Sequence, residues 1–239
     1  MRLSHLYLLV ACLCLIKANS AALRSRLRMS AAQRLGKSSL GGGLVPLLLL
    51  PFNAIGKSAK VAVSSSAGWA VLSSSSWVPL YYICGALCNA LMSKIIKRVV
   101  RQPRPTTSKK GGYGMPSSHA HLLFYFFTIL TLLSRKHYPS YLSSALSAAL
   151  GCYAVTAAYW RVADGLHTLP QTLVGASLGV SMGCVFHFNQ HHILSSVLAS
   201  FRTDATLPVP NTVKIPVLVF GFLVLFKKEI SALRSGKDR

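Results

Sequence analysis

The chain has 239 residues, of which 52 % are hydrophobic and 13 % charged, with a mean hydropathy of +0.47, and it reads as an all-α integral membrane protein with one core domain. Lys and Arg number 26 against 4 Asp and Glu, a formal net charge of +22 that suits anionic lipid or phosphate partners. Nucleic acid is excluded as the partner, because the cations lie between hydrophobic spans and carry no aromatic stacking platform.

Residues 1–20 open with Arg2, run through an apolar stretch at 6–16 and close on Ala18-Asn19-Ser20, the layout of a signal peptide with small residues at its cut site. Residues 21–43 carry Arg24, Arg26, Arg28, Arg34 and Lys37 among serines with no acid, which is a transit-peptide composition. The pair resembles the bipartite leader of algae whose plastids lie inside extra membranes, although the aromatic residue often found after the cut is missing, and it predicts a plastid membrane. Residues 44–56 are apolar but interrupted by Pro46 and Pro51, and a serine-rich stretch at 64–76 follows, so an interfacial or re-entrant piece is expected there.

Four spans are predicted next. Residues 77–96 are a continuous apolar run ending at Lys97. After a basic loop, Pro116 can start a helix whose apolar body covers 122–133 and whose far end carries Arg135, Lys136 and His137. Residues 141–160 form a third span rich in Ala, Ser and Gly, closed by Arg161; His167 opens a fourth that reaches about 187. Within it Gly175, Gly179 and Gly183 are spaced four apart on one face, a packing stripe for a close neighbour. Residues 188–212 read as a polar connector, and 213–239 as a short hydrophobic segment with a basic tail. The six cysteines, at positions 12, 14, 84, 88, 152 and 184, contain no CxxC pair and read as small helix-packing residues with no disulfide or zinc framework.

Residues 97–119, KRVVRQPRPTTSKKGGYGMPSSH, hold six cations in 14 positions without a carboxylate; the first acid of the whole chain is Asp164. If Lys97 lies on one face of the membrane, the next helix leaves that face and the following one returns to it, so Arg161 and His167 arrive beside Lys97, Arg104 and His119. Charge in a bilayer is costly and usually kept for function. Phosphoryl transfer requires fixed cations around the equatorial oxygens, a nucleophile in line and an acid for the leaving oxygen. Lys97, Arg104 and Arg161 are the candidate clamp, the guanidinium forks suiting bidentate phosphate contact. The backbone N–H groups of Ser117 and Ser118, at a helix start, would add donors. His119 and His167 can divide nucleophilic and acid work.

The spacing of these residues resembles a known family. Lys97 through Arg104-Pro105 matches Lys-x6-Arg-Pro, Pro116-Ser117-Ser118-His119 is similar to Pro-Ser-Gly-His, and Arg161-x5-His167 matches the third motif of the type 2 phosphatidic acid phosphatase family. The resemblance covers about 77–187 and implies a multi-span helical bundle of that kind with no metal or other cofactor. It implies that His167 forms a phosphohistidine and that His119 protonates the leaving group. The sequence departs from the family at Ser118 in place of glycine, Trp160 in place of serine, and Gln171 in place of a carboxylate. Arg-Val-x4-His-Thr-x2-Gln looks like the subgroup of dolichyl diphosphate phosphatases and plastid lipid phosphate phosphatases. Three functions are thereby open: a plastid phosphatidate phosphatase; a dolichyl (polyprenyl) diphosphate phosphatase of the endoplasmic reticulum; and a non-catalytic lipid-phosphate-binding relative, suggested by Gln171. Gln171 stands one helical turn after His167, where its amide oxygen can accept from Nδ1–H and leave Nε2 to attack. Asp164 is the alternative orienter. If Gln171 fills the role, Gln171→Asp is expected to retain or raise turnover.

Overall fold

The computed structural model describes residue 59 and residues 61–108, 111–204 and 206–235, with side chains through 224. The leader segments 1–20 and 21–43, the interrupted run 44–56, Lys109, Lys110 and the end of the tail lie outside the described residues. Seven helices carry the described chain: α1 (Val61–Ser73), α2 (Trp77–Val100), α3 (Ser118–His137), α4 (Ser140–Ala163), α5 (Leu169–Phe188), α6 (Gln190–Ser200) and α7 (Asn211–Ser235).

Local chemistry sets their ends. Ser76 caps α2 by accepting from the Val78 N–H, and the helix stops where Arg101 turns left-handed and donates its N–H to the Lys97 carbonyl. α3 ends before Pro139, which cannot extend it. α4 ends in a turn whose Gly165 takes φ +67, and a side chain there would also meet Thr107. Thr168 caps α5 in a reciprocal box with Gln171, two residues later than the helix start expected at His167. Similarly α3 begins at Ser118, with Pro116 and Ser117 still in the preceding turn.

The glycine stripe decides the central contact. At Gly175 an added Cβ would lie 2.6 Å from the Ser117 carbonyl oxygen, and at Gly183 one would lie 2.7 Å from Thr128 Cβ; Gly179 presses against the backbone carbonyl of His121. α3 and α5 therefore pack backbone to backbone. At the other end, Tyr125 is fully buried and donates to the Tyr82 carbonyl (3.0 Å), while Tyr81 donates to the Phe186 carbonyl (2.9 Å), fixing α2 on this pair. α1 closes the side, with Val63, and Ala59 just ahead of it, against Leu123 and Ala157 at one end and Val71 against Leu80 at the other. α1, α3 and α5 thus start at the end where α2 and α4 finish.

The residues 188–212 are not a plain connector. They contain α6, formed because Ile193, Leu194, Val197 and Leu198 recur at helical spacing and bury Leu198. Residues 64–76 are mostly helix α1, whose serines close on the preceding turns, as Ser73 does on the Trp69 carbonyl. The cysteines also differ from expectation: Cys84, Cys88 and Cys152 are exposed, the first two because α2 turns Leu80, Tyr81, Gly85, Ala86 and Asn89 inward instead. α4 and α5 are long and apolar enough to cross a membrane by length and composition. α2 and α3 coincide with the other two predicted spans and match them in length, but polar residues such as Asn89, Ser93, His119 and His121 make them less apolar.

Candidate functional site

The three sequence motifs meet at the end of the bundle where α2 and α4 finish and α3 and α5 begin. His167 sits in the short turn between α4 and α5, 3 % exposed, held by its N–H on the Arg161 carbonyl at 3.2 Å. Its two ring nitrogens face different partners. Nδ1 lies 3.3 Å from Gln171 Oε1, and Nε2 lies 3.1 Å from Arg104 Nη1. Arg104 also donates to the Leu166 carbonyl at 2.8 Å, so the turn carrying His167 is tied to the basic loop.

The orientation of the Gln171 amide follows from its neighbours. Its NH₂ donates to the Pro103 carbonyl at 2.8 Å and to Gln102 Oε1 at 3.3 Å, while its oxygen accepts from the Thr168 N–H at 3.3 Å. Two acceptors on one side and a backbone donor on the other fix which atom is oxygen. With that oxygen toward Nδ1, the imidazole carries its proton on Nδ1 and its lone pair on Nε2. Gly114 leaves the space, since a Cβ there would lie 2.5 Å from Gln171 Oε1. A β-bridge between Pro103 and Tyr113 and the Gly114 N–H on the Gln102 carbonyl (2.7 Å) fold the basic loop over the amide.

Burial lowers the His167 pKa from 6.5 to about 3, helped by the positive charges of Arg104, Lys97 and Arg161 in that order; the hydrogen bond that Nδ1–H donates to Gln171 acts the other way. A pKa that low leaves the imidazole uncharged at neutral pH, with the positive charges of Arg104, Lys97 and Arg161 all acting on it. Burial also lowers the Arg104 pKa. Lys97 Nζ reaches the Tyr113 carbonyl at 3.5 Å, and the Arg161 guanidinium lies 5.7 Å from the centre of the Trp160 ring. Among the described residues, the Nε–H of Arg104 and the Nε–H of Arg161 are both buried without a hydrogen-bond partner.

The second motif is arranged differently from the expectation. Ser117 is fully buried and spends its N–H on the Gln171 carbonyl at 2.9 Å, a bond that links the starts of α3 and α5. Ser118 directs its hydroxyl to Ser93 Oγ at 2.7 Å, against α2. His119, half-buried in the first turn of α3, lines a small cavity with Ala59, Val63, Leu122 and Leu123. Asp164 is exposed at the end of α4, and it is Gln171 that stands beside His167 Nδ1. The sequence reading missed Gln102, which sits between Arg101 and Pro103 as a plain loop amide; no spacing rule connects it to a residue 69 positions later. His121, which matches no motif position and reads from sequence as an ordinary polar residue, is wholly buried where α3 meets α5.

Comparison with known proteins gives the same three-motif region. The PAP2 superfamily matches residues 77–193. The chain is 31 % identical over 159 residues to lipid phosphate phosphatase epsilon 1, chloroplastic, of Arabidopsis thaliana, covering 64 % of this chain and 53 % of that protein. It is 30 % identical over 115 residues to dolichyldiphosphatase of Saccharomyces cerevisiae, covering 44 % and 48 %. The chain spans about half the length of these curated relatives. The crystal structure of a transmembrane PAP2 type phosphatidylglycerolphosphate phosphatase from Bacillus subtilis superposes with a TM-score of 0.53 at 19 % identity, over 77 % of this chain and 96 % of that one, a likeness of fold. Residues 77–193 of this all-α chain are a PAP2 superfamily domain.

Proposed function

We propose that the chain is a membrane-bound lipid phosphate phosphatase that hydrolyses phosphatidate to diacylglycerol and inorganic phosphate through a phosphohistidine on His167. The observation that carries this reading is the buried neutral imidazole: Nδ1 on an amide oxygen, Nε2 directed at Arg104, and two arginine Nε–H donors beside it that a phosphate oxygen can satisfy. The outward faces of α4, α5 and α7 add support for membrane embedding, since Val155, Tyr159, Leu173, Val180 and Phe220 are exposed there.

The reaction runs in two displacements. His167 Nε2 gives its lone pair to phosphorus, the P–O bond to the glycerol oxygen breaks, and protonated His119 supplies the proton that makes diacylglycerol the leaving group. Water then attacks phosphorus while His119 takes the water proton; the new P–O bond forms as the P–N bond breaks, its electron pair returns to Nε2, and phosphate leaves with His167 regenerated. Lys97, Arg104, Arg161 and the Ser118 N–H hold the equatorial oxygens in both steps. Ser117 holds the starts of α3 and α5 together and contributes to the phosphate site through that placement. A plastid membrane is supported by the signal-plus-transit composition of residues 1–43 and by the chloroplastic naming of the similar Arabidopsis proteins.

Phosphate release by the purified full chain from phosphatidate, lysophosphatidate and polyprenyl diphosphate tests the reading. Phosphatidate turnover with radiolabel trapped on histidine in wild type, and neither in His167→Ala, is the expected result; turnover surviving in His167→Ala overturns it. Similarity to dolichyldiphosphatases of yeast, Dictyostelium discoideum and Homo sapiens favours one second reading, the same chemistry on a polyprenyl carrier in the endoplasmic reticulum. A reporter fused to residues 1–43 separates the two by reaching the plastid in the first case and stopping in the secretory pathway in the second.

A further inference from the structure

A cavity among the described residues lies beside α3, away from the α5 contact. It has a volume of about 370 Å³ and an almost wholly apolar lining, including Gly68 of α1, Leu87 of α2, Phe126 of α3 and Leu218, Gly221 and Phe222 of α7. That volume is within the range of roughly 300–1,000 Å³ found for small-molecule sites. The second cavity, about 20 Å³, is the one lined by His119. Leu122 borders both. The helix registers show how they connect. On α3, His119, Leu122 and Phe126 follow at i, i+3 and i+7, one face descending about 10 Å along the axis. Opposite it, Ala59 and Val63 border the small cavity, while Ser64, Ala67 and Gly68 border the large one, again on one face and in the same direction. The two cavities therefore follow one another between α1 and α3, with the Leu122 side chain between them, on a line that starts at His119 and widens where α2 and α7 join.

From this continuity we infer that the path is the seat of one acyl chain of a diacyl lipid phosphate, entering at His119 and ending against Leu218 to Phe222 of α7. The inference rests on the proposed phosphatase reading and assigns its substrate side. The departing oxygen carries the hydrocarbon, so the hydrocarbon has to leave the phosphate on the side of the acid that protonates it, and His119 is where the apolar path begins. The small volume beside His119, about 20 Å³, favours an unbranched methylene chain over a bulkier methyl-branched isoprene chain. Small residues keep the wide part open: a Cβ at Gly68 would meet nothing within 4 Å, and one at Gly221 would reach Leu87 Cδ2 at an ordinary 3.5 Å.

Gly68→Leu and Gly221→Leu fill the groove from opposite walls, and Ser177→Leu adds the same side chain on the exposed face of α5 as a control. The readout is the ratio of kcat/KM for dipalmitoyl phosphatidate to that for dihexanoyl phosphatidate. Each groove variant is expected to lower the ratio at least about tenfold, the effect of excluding about two methylenes, and Ser177→Leu to leave it unchanged. In parallel, phosphatidate carrying a photoactivatable diazirine at the end of one acyl chain is expected to label Leu87 or the 218–223 segment in wild type and to lose that label in Gly221→Leu. An unchanged ratio in both groove variants, or labelling confined to outward faces, overturns the groove while phosphate release by wild type leaves the function standing. Labelling of the groove without phosphate release overturns the function and keeps the groove. Equal labelling by a diazirine-tailed polyprenyl phosphate overturns the assignment to an acyl chain.

Discussion

His167 is surrounded so that one nitrogen is held and the other is presented. With Nδ1–H given to Gln171, the lone pair of Nε2 meets Arg104 Nη1, so the proposed nucleophile is masked by the same cation that a phosphate would draw away. Gln171 is suited to this place as an amide. Its NH₂ donates to two oxygens, and a carboxylate of the same shape would lose both bonds and face the Pro103 carbonyl and Gln102 Oε1 as a third acceptor. This reverses the expectation drawn from sequence for an acid at 171. At 1 % exposure the carboxylate itself would be buried without donors from that side, at a cost of about 1–3 kcal/mol, so Gln171→Glu should lower kcat by roughly 10- to 100-fold. Gln171→Leu should lower it further, and Asp164→Asn, at an exposed position, should be mild; full turnover in Gln171→Glu would show that the amide is dispensable. The lowered pKa of His167 carries a second prediction. Because the folded value of about 3 lies below the ordinary 6.5, the imidazole is neutral above that range, and its contribution to stability is full above about pH 6.5 and lost as pH falls toward 3. The pH profile of kcat/KM should lack an acid limb from His167 between pH 5 and 7. Arg104→Gln removes a positive charge from Nε2, which raises the pKa and moves that limb to higher pH; a profile unmoved by the substitution would separate Arg104 from the nucleophile.

The pairing of α3 with α5 translates packing into site geometry. The Ser117 N–H on the Gln171 carbonyl joins the second motif to the third, and Gly175, one turn below, lets the helices close to that distance. Gly175→Ala would put a methyl 2.6 Å from the Ser117 carbonyl oxygen, with backbone on both sides and no flexible side chain to yield. Overpacking of this kind costs about 1–3 kcal/mol, and the helices should separate at the end where the motifs meet. Turnover should therefore drop about tenfold or more while Gly68→Ala, in open space, changes nothing measurable in melting temperature; equal turnover for Gly175→Ala and wild type would dissociate the stripe from the site. The stripe was legible in the sequence because four-residue spacing of glycine has one structural use in a long apolar helix. The three motifs were legible because their cations and histidines recur at a fixed spacing and order along the chain. The amide relay was only half legible: Gln171 follows His167 by one turn, but Gln102 and Pro103 approach it through a loop folded by long-range backbone bonds. α6 escaped notice because its polar residues Gln190, His191, His192 and Ser195 weigh down a segment whose apolar face is narrow.

At the scale of the whole molecule, charge does not by itself orient the bundle. The site end carries Lys97, Arg98, Arg101 and Arg104, yet the opposite end carries Arg135 and Lys136, so the distribution of Lys and Arg favours neither face decisively. Connectivity is more informative. α3 leaves the site end and α4 returns to it, so the turn at 138–140 lies on the opposite side from the 101–117 loop. The far end is tied separately: Lys214 Nζ donates to the Ser74 carbonyl at 2.7 Å, Trp77 Nε1 to the Leu207 carbonyl at 3.0 Å, and Tyr82 Oη to Gln190 Oε1 at 2.8 Å. If the bundle spans a bilayer as proposed, these two ends face different compartments. α3 is the critical element, since its 20 residues at about 1.5 Å each match the roughly 30 Å hydrocarbon core but its polar content keeps it less apolar than α4 and α5. Thr106 and Ser140 are both exposed, one at each end. In a chain with its native cysteines replaced, Thr106→Cys and Ser140→Cys reconstituted in sealed vesicles should react with a membrane-impermeant maleimide from opposite sides. Labelling of both from the same side would mean that α3 does not cross, and the site would then belong to a bundle lying at one face of the membrane.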